Sequence, residues 1–358
     1  MVEVSATSVS EHVAALADPR VERCRVHGLV AIVTIALCGV LCGADDWVAI
    51  EAFGQEEEGW PRTFLAPPGG IPSHDTFGRV FARLDPDEFR ACFLAWVRSV
   101  VGGTGEQVVA VDGKTVRGSH DRRAGKEALH PVTAWATASG LVLGQVATDA
   151  KSNEITALPA LPRLLDLDGA TVTIDATGCQ TAIAGQLVEQ GADYVLALTD
   201  HHPALRERVR LAFADARDAA GTTVPLADLA PVVARDRAHG RVDGRRGLAI
   251  GDPAYLADVD PDRRWPNLRS VVLIESTRRV GAAVTTEARH YLSSLPPDAA
   301  LLARTIRSRW GIENRLHWVL DGAFREDHCR VRDGHAPEDL AILRHVALNL
   351  LRHDRSVP

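Results

Sequence analysis

The sequence predicts an α/β protein with an all-helical amino-terminal segment, on three observations. Residues 1 to about 100 carry their apolar side chains at helical spacing. A glycine-rich stretch at 101–106 follows, and beyond it strands and helices alternate. Within the alternating region, a pair of β-branched runs, 108–112 and 171–175, each end on a lone aspartate with a glycine close behind.

A chain of 358 residues suits two or three domains and can bury a large core. With 46% apolar and 24% charged residues and a mean hydropathy of −0.04, its composition is that of a soluble globular protein. The net charge of −7 argues against binding a polyanion through overall charge, and leaves room for a local basic groove. Only three of the 40 basic residues are lysines, and Lys114, Lys126 and Lys151 all fall in one short region. The six cysteines form no CxxC pair, so they are expected as reduced and mostly buried thiols of a cytoplasmic protein. The uncharged run 28–44 is short and lacks an aromatic belt, which favours a buried helix over a membrane span.

In chain order, 28–42 is the first helix. Ser73 caps a second, with Phe77, Val80, Phe81 and Leu84 as its apolar face, and a third follows Pro86. A Gly- and Pro-rich loop, 56–70, lies between the first two. Helix 73–84 could read DNA, yet residues 1–100 hold 14 acidic residues against 8 arginines, which suits packing or dimerisation equally well. Strand 108–112 comes next. A hairpin, 131–138 with 141–149, turns at Ser139-Gly140. Helix 154–165, strand 171–175, helix 180–190 and strand 194–198 complete the series. Three strands, a helix, a strand, a helix and a strand is the order of a ribonuclease-H-like core. Residues 200–295 break that order with an arginine-rich helix at 204–219 and several strand-like runs, and read as a β-rich insertion. Helices at 298–320 and 337–352 close the chain.

Three carboxylates stand out. A carboxylate at the carboxyl end of a central strand points into the crevice where open α/β sheets bind their ligands. An isolated Asp-Gly is ordinarily a turn. Asp112 and Asp175, though, end equivalent strands and share an edge if those strands are parallel neighbours. The third is Glu313. Leu302, Ile306, Arg309, Glu313, Leu316 and Leu320 fall on one face of a regular helix, apolar but for Arg309 and Glu313. A buried carboxylate needs a partner, either Arg309 one turn back or a metal ion. Three carboxylates suit a hard divalent cation such as Mg²⁺, and two such ions can drive phosphodiester transfer without a protein nucleophile. No G-x-S-x-G, Walker or dinucleotide-binding motif is present.

Several stretches together resemble the insertion-sequence DDE transposases of the H-repeat-associated (ISAs-type) group, essentially from end to end. They are Leu41-Cys42-Gly43-Ala44, Ile71-Pro72-Ser73-His74-Asp75-Thr76-Phe77, Val111-Asp112-Gly113-Lys114, Ile174-Asp175-Ala176, Gly178-Cys179-Gln180, Trp310-Gly311-Ile312-Glu313-Asn314, Leu316-His317-Trp318 and Ala347-Leu348-Asn349-Leu350-Leu351. The resemblance implies a helical associated domain at 1–103 and a ribonuclease-H-like core at 104–200 and 298–358, interrupted by a β-rich insertion at 201–297. It implies Mg²⁺-dependent cleavage and transfer of DNA strands, with Mn²⁺ able to substitute, by a triad of Asp112, Asp175 and Glu313. The expected partner is double-stranded DNA, both terminal inverted repeats and target, bound by a homodimer or larger assembly at the nucleoid.

Departures from the pattern are plain. Ile306 and Leu320 stand where related transposases carry tyrosine and lysine, and Thr199-Asp200-His201-His202 replaces an expected Lys-x-Asn-Gln. Candidate DNA contacts are Lys114 and Arg117 beside Asp112, and Arg309, Asn314 and His317 around Glu313. Arg241 stands for a basic patch that includes Arg235, Arg237, Arg245 and Arg246. Each could equally be a solvated surface residue. Glu326 and Asp327 are the spare carboxylates. Two other readings stay open: a catalytically silent DNA-binding relic, and a nuclease that cuts without joining.

Overall fold

The computed structural model describes residues 6–57, 59, 69–101, 107–148, 157–219, 232–238 and 241–353, with the side chains of 6–8, 101, 219, 232–238, 241 and 242 not described. In chain order the helices are α1 (Ala6–Val13), α2 (Leu29–Leu41), α3 (Trp47–Glu56), α4 (His74–Phe81), α5 (Pro86–Val101) and α6 (Ala160–Arg163). They continue with α7 (Thr181–Glu189), α8 (Pro203–Ala219), α9 (Pro253–Val259), α10 (Ala299–Gly311), α11 (Trp318–Gly322) and α12 (Ala336–His353). The strands are β1 (Val108–Gly113), β2 (Pro131–Ala136), β3 (Val142–Ala147), β4 (Thr171–Ile174), β5 (Asp193–Leu198), β6 (Val232–Ala238), β7 (Arg241–Ile250), β8 (Ser270–Val280) and β9 (Ala283–Ser293). Two compact units result, one of residues 1–103, 112–165 and 312–358, the other of 104–111 and 166–311.

In the first unit α2 is apolar on every side and buried along almost its whole length, as its uncharged sequence requires. It packs on α1, α3 and α12. Gly39 lets α2 and α3 approach closely, since a Cβ there would stand 3.1 Å from Ile50. Asp46 caps α3 through the Ala49 amide, and Ser73 caps α4 through that of Thr76. The predicted face of α4 is the observed one: Phe77, Val80 and Phe81 are buried, and Trp47 stacks on Phe81 with centroids 4.8 Å apart. β2 and β3 form the expected antiparallel hairpin, with a bulge at Ala134/Trp135. Its turn is wider than two residues, closing where the Ala136 amide meets the Leu141 carbonyl.

The second unit is organised on the strand order β1-β4-β5-β9-β8-β7-β6. β1, β4 and β5 run parallel, and the remaining pairs are antiparallel. The strands expected as an insertion therefore extend the same sheet through β5 and β9. α10 packs its Ala299, Leu302 and Ile306 on Val195, Val272, Ile274 and Tyr291.

Four expectations need correction. α1 and α3 were not foreseen, both being short and lacking a long apolar period. Helix 154–165 reduces to α6 and a turn over its described residues, interrupted at Pro159 while Pro162 falls inside α6, and 149–156 lies outside the described residues. The helix expected at 298–320 is not regular: α10 passes into a π-helical turn at Ile312–His317 before α11. Of the cysteines, Cys38, Cys179 and Cys329 are buried, while Cys24 and Cys42 are exposed.

Candidate active site

β1 is apolar and buried through Val109, Ala110 and Val111, then delivers Asp112 at its carboxyl end. β4 does the same: Val172, Thr173 and Ile174 are buried, and Asp175 follows. Val111 pairs with Ile174 in the parallel register, and an aspartate follows each of them in sequence. Asp175 caps a short 3-10 turn, its Oδ1 accepting the Thr177 amide at 3.0 Å. Gly178 closes that turn tightly, because a Cβ would fall 2.2 Å from Ile174.

Glu313 does not sit where helical spacing put it. A π turn takes about one more residue than an α turn, and here Ile312, Leu316 and Leu320 occupy the buried positions. Glu313, Asn314 and Arg315 are exposed together. His317, on the same turn, brings Nδ1 to 3.8 Å from Asp112 Oδ2, both side chains being largely sheltered. Arg309 is half-buried near Tyr291, whose hydroxyl burial pushes up against the opposing pull of Arg289 and Arg309.

Lys114 has a role that sequence reasoning missed. Its ammonium lies 2.8 Å from Asp321 and Glu326 and 3.4 Å from Asp327. A compact ammonium with three donors suits three converging acceptors better than a planar guanidinium would. Burial pulls the Lys114 pKa down, and Glu326 and Asp321 outweigh it, so the group stays charged with its pKa raised. Glu326, only 2% exposed, is pushed up by burial, but Arg344 and Lys114 hold it lower. Arg117 donates its amide to Asp327 at 3.1 Å while its side chain is exposed. Lys126 ties down the same segment, donating to the carbonyls of Arg332 and Gly334 at 2.7 Å each. Two of the three lysines thus stitch 113–126 to 321–334, which is the meaning of their clustering. Lys151 lies outside the described residues, as do the side chains of Arg235, Arg237 and Arg241.

Carboxylates are the donors that a hard divalent ion takes, so Asp112, Asp175 and Glu313 fit Mg²⁺ in chemistry. Among the described residues, however, no group of three His, Cys, Asp or Glu side chains is gathered closely enough to hold a metal ion. No described helix is long and apolar enough to cross a membrane.

The family described as DDE_Tnp_1-associated matches residues 10–97, and the one described as Transposase DDE domain matches residues 103–350. The "H repeat-associated putative transposase YhhI" of Escherichia coli (strain K12) is 35% identical over 349 residues, which are 96% of this chain and 90% of that protein. The "Putative transposase YncI" of Escherichia coli O157:H7 is 35% identical over 362 residues, 99% of this chain and 90% of that one. The piggyBac transposase synaptic complex with hairpin DNA covers 98% of this chain and 78% of that one at 9% identity, with a TM-score of 0.40, a likeness that carries no argument. The chain belongs to the DDE transposase family, alongside its H-repeat-associated members.

Proposed function

We propose that this protein is an insertion-sequence transposase that cuts DNA at the ends of its element and joins them to a target. The observation that carries the reading is the family match along the chain, and the parallel pairing of β1 with β4, whose runs lead to Asp112 and Asp175 in sequence, supports it. On this reading 104–200 and 298–358 form a ribonuclease-H-like core, 201–297 interrupts it, and 1–103 is a helical associated domain. The parallel β1-β4-β5 order and the antiparallel β2–β3 hairpin support that assignment.

Asp112, Asp175 and Glu313 would hold Mg²⁺, or Mn²⁺ in its place. When bound, such ions activate a hydroxyl nucleophile and stabilise the leaving 3′ oxygen. The protein's own work is positioning. β1 and β4 would each hold one aspartate at a strand end, and the π turn would present Glu313 to the ions and Asn314 to the DNA backbone. His317 lies beside Asp112 and can orient it. Arg117 and Arg309 are the cations we assign to phosphates. Lys114 reaches them only by leaving its carboxylates, so its role is to hold the Asp321–Asp327 segment in place.

The test is nicking and strand transfer with DNA carrying the element's ends. Asp112→Ala, Asp175→Ala and Glu313→Ala should each abolish Mg²⁺-dependent cutting with the fold intact. Full activity in any one removes that residue from the mechanism. The second reading is a silent DNA-binding relic. Wild-type protein that binds end DNA and fails to nick it with either Mg²⁺ or Mn²⁺ would establish that reading instead. Cutting without joined products would mark a nuclease.

A further inference from the structure

Two arginines of the first unit meet with no carboxylate to separate them. Arg315 on the π turn and Arg352 near the end of α12 both lie over the buried indole of Trp135. Their guanidinium carbons are 5.5 and 5.9 Å from the ring centroid. Arg352 is tied down there, donating to the carbonyls of Gly140 and Arg315. The two heads converge at the β2–β3 turn: a Cβ on Gly140 would stand 3.1 Å from Arg352 Nη1 and 3.5 Å from Arg315 Nη2. Glycine takes the φ of +76° found there and leaves the room that both heads use.

One guanidinium on an indole is ordinary packing. A second beside it adds repulsion between like charges, which packing does not require. Among the described residues neither arginine has an acidic partner, and the Arg315 side chain makes no hydrogen bond. Burial, and after it Arg315, pushes the Arg352 pKa down to about 10. An anion between the heads would offset that repulsion. The planar fork of arginine matches the oxygens of a phosphate two at a time. The pair is also reachable from solvent, since Arg315 is exposed in one stretch with Glu313 and Asn314. It lies two residues from the carboxylate assigned to the metal ions.

We infer that Arg315 and Arg352 together hold one phosphate of the DNA backbone and so position the strand that passes Glu313. This rests on the transposase reading above. The test measures binding of full-length protein to end DNA and to a duplex of arbitrary sequence across a salt series. In the wild type the logarithm of affinity falls linearly with the logarithm of salt. In Arg315→Gln/Arg352→Gln that slope should become shallower by about one, because the two arginines share a single phosphate. A change of about two would mean separate phosphates and overturn the shared site. Arg315→Gln alone should weaken binding to both duplexes by about tenfold or more, the loss of a charge-assisted hydrogen bond. Its side chain bonds nothing in the folded chain, so its urea midpoint should match the wild type, which covers the case of a double variant that misfolds. A lowered midpoint with DNA affinity unchanged makes Arg315 structural and overturns the inference, as do unchanged slope and affinity in both variants. Inorganic phosphate separates the sources of the anion. If it raises the thermal midpoint of the wild type but not of Arg315→Gln, while DNA binding is the same in both, the pair holds a free anion and the inference fails. Wild-type protein that binds neither duplex sinks the transposase reading itself, a different outcome.

Discussion

Lys114 holds a single positive charge where three carboxylates converge, and one of them, Glu326, is almost fully buried. Breaking a buried ion pair by removing one partner strands the other in a poor solvent. Lys114→Met should therefore cost about 3–5 kcal/mol of stability, measured by urea unfolding. A phosphate contact alone would leave stability unchanged and weaken DNA binding. His345 offers a second residue-scale prediction. Burial depresses its pKa from 6.5 to about 4. The unfolded chain thus takes up a proton, as pH falls from about 6.5 to about 4, that the folded chain refuses. Stability should be fully present above the unfolded value and decline across that window, by on the order of 3 kcal/mol at its lower end. His345→Gln should flatten the decline, read from unfolding curves at about pH 7 and about pH 5. Neither role was legible in the sequence, because the Lys114–Glu326 pair joins residues 212 positions apart.

At the scale of elements, the strand ends were legible and the helix that carries Glu313 was only half so. β-branched runs ending in aspartate announce themselves locally, and both appear where expected, in parallel neighbours. Helical spacing on 298–320 identified Leu302, Ile306, Leu316 and Leu320 correctly as buried, but it assumed an unbroken α period. The π turn at Ile312–His317 substitutes Ile312 for Glu313 on the inner face. No residue type in that stretch advertises such a turn. α12 shows a contact of the same non-local kind. Asn349 accepts the Val142 amide and donates to the Val142 carbonyl, at 2.8 Å each, so its amide stands in for a neighbouring strand along β3. Asn349→Leu leaves both backbone groups buried and unpaired. It should cost roughly 1–3 kcal/mol, seen as a lower midpoint in chemical unfolding.

Across the whole molecule, the alternation of strands and helices marked the α/β class, and the change of pattern near residue 200 marked the added strands. That those strands continue the same sheet through β5 and β9 was not readable, because strand order depends on which edges meet. Three acidic residues acting on shared divalent ions remain the central claim, and Fe²⁺ can report on it directly. Fe²⁺ bound in place of Mg²⁺ on the protein–DNA complex, with ascorbate and peroxide, cuts the polypeptide beside its ligands. Fragments ending near residues 112, 175 and 313 together, and suppressed by excess Mg²⁺, are the predicted result. Cuts at one of these places alone, or scattered along the chain, would contradict a shared metal centre.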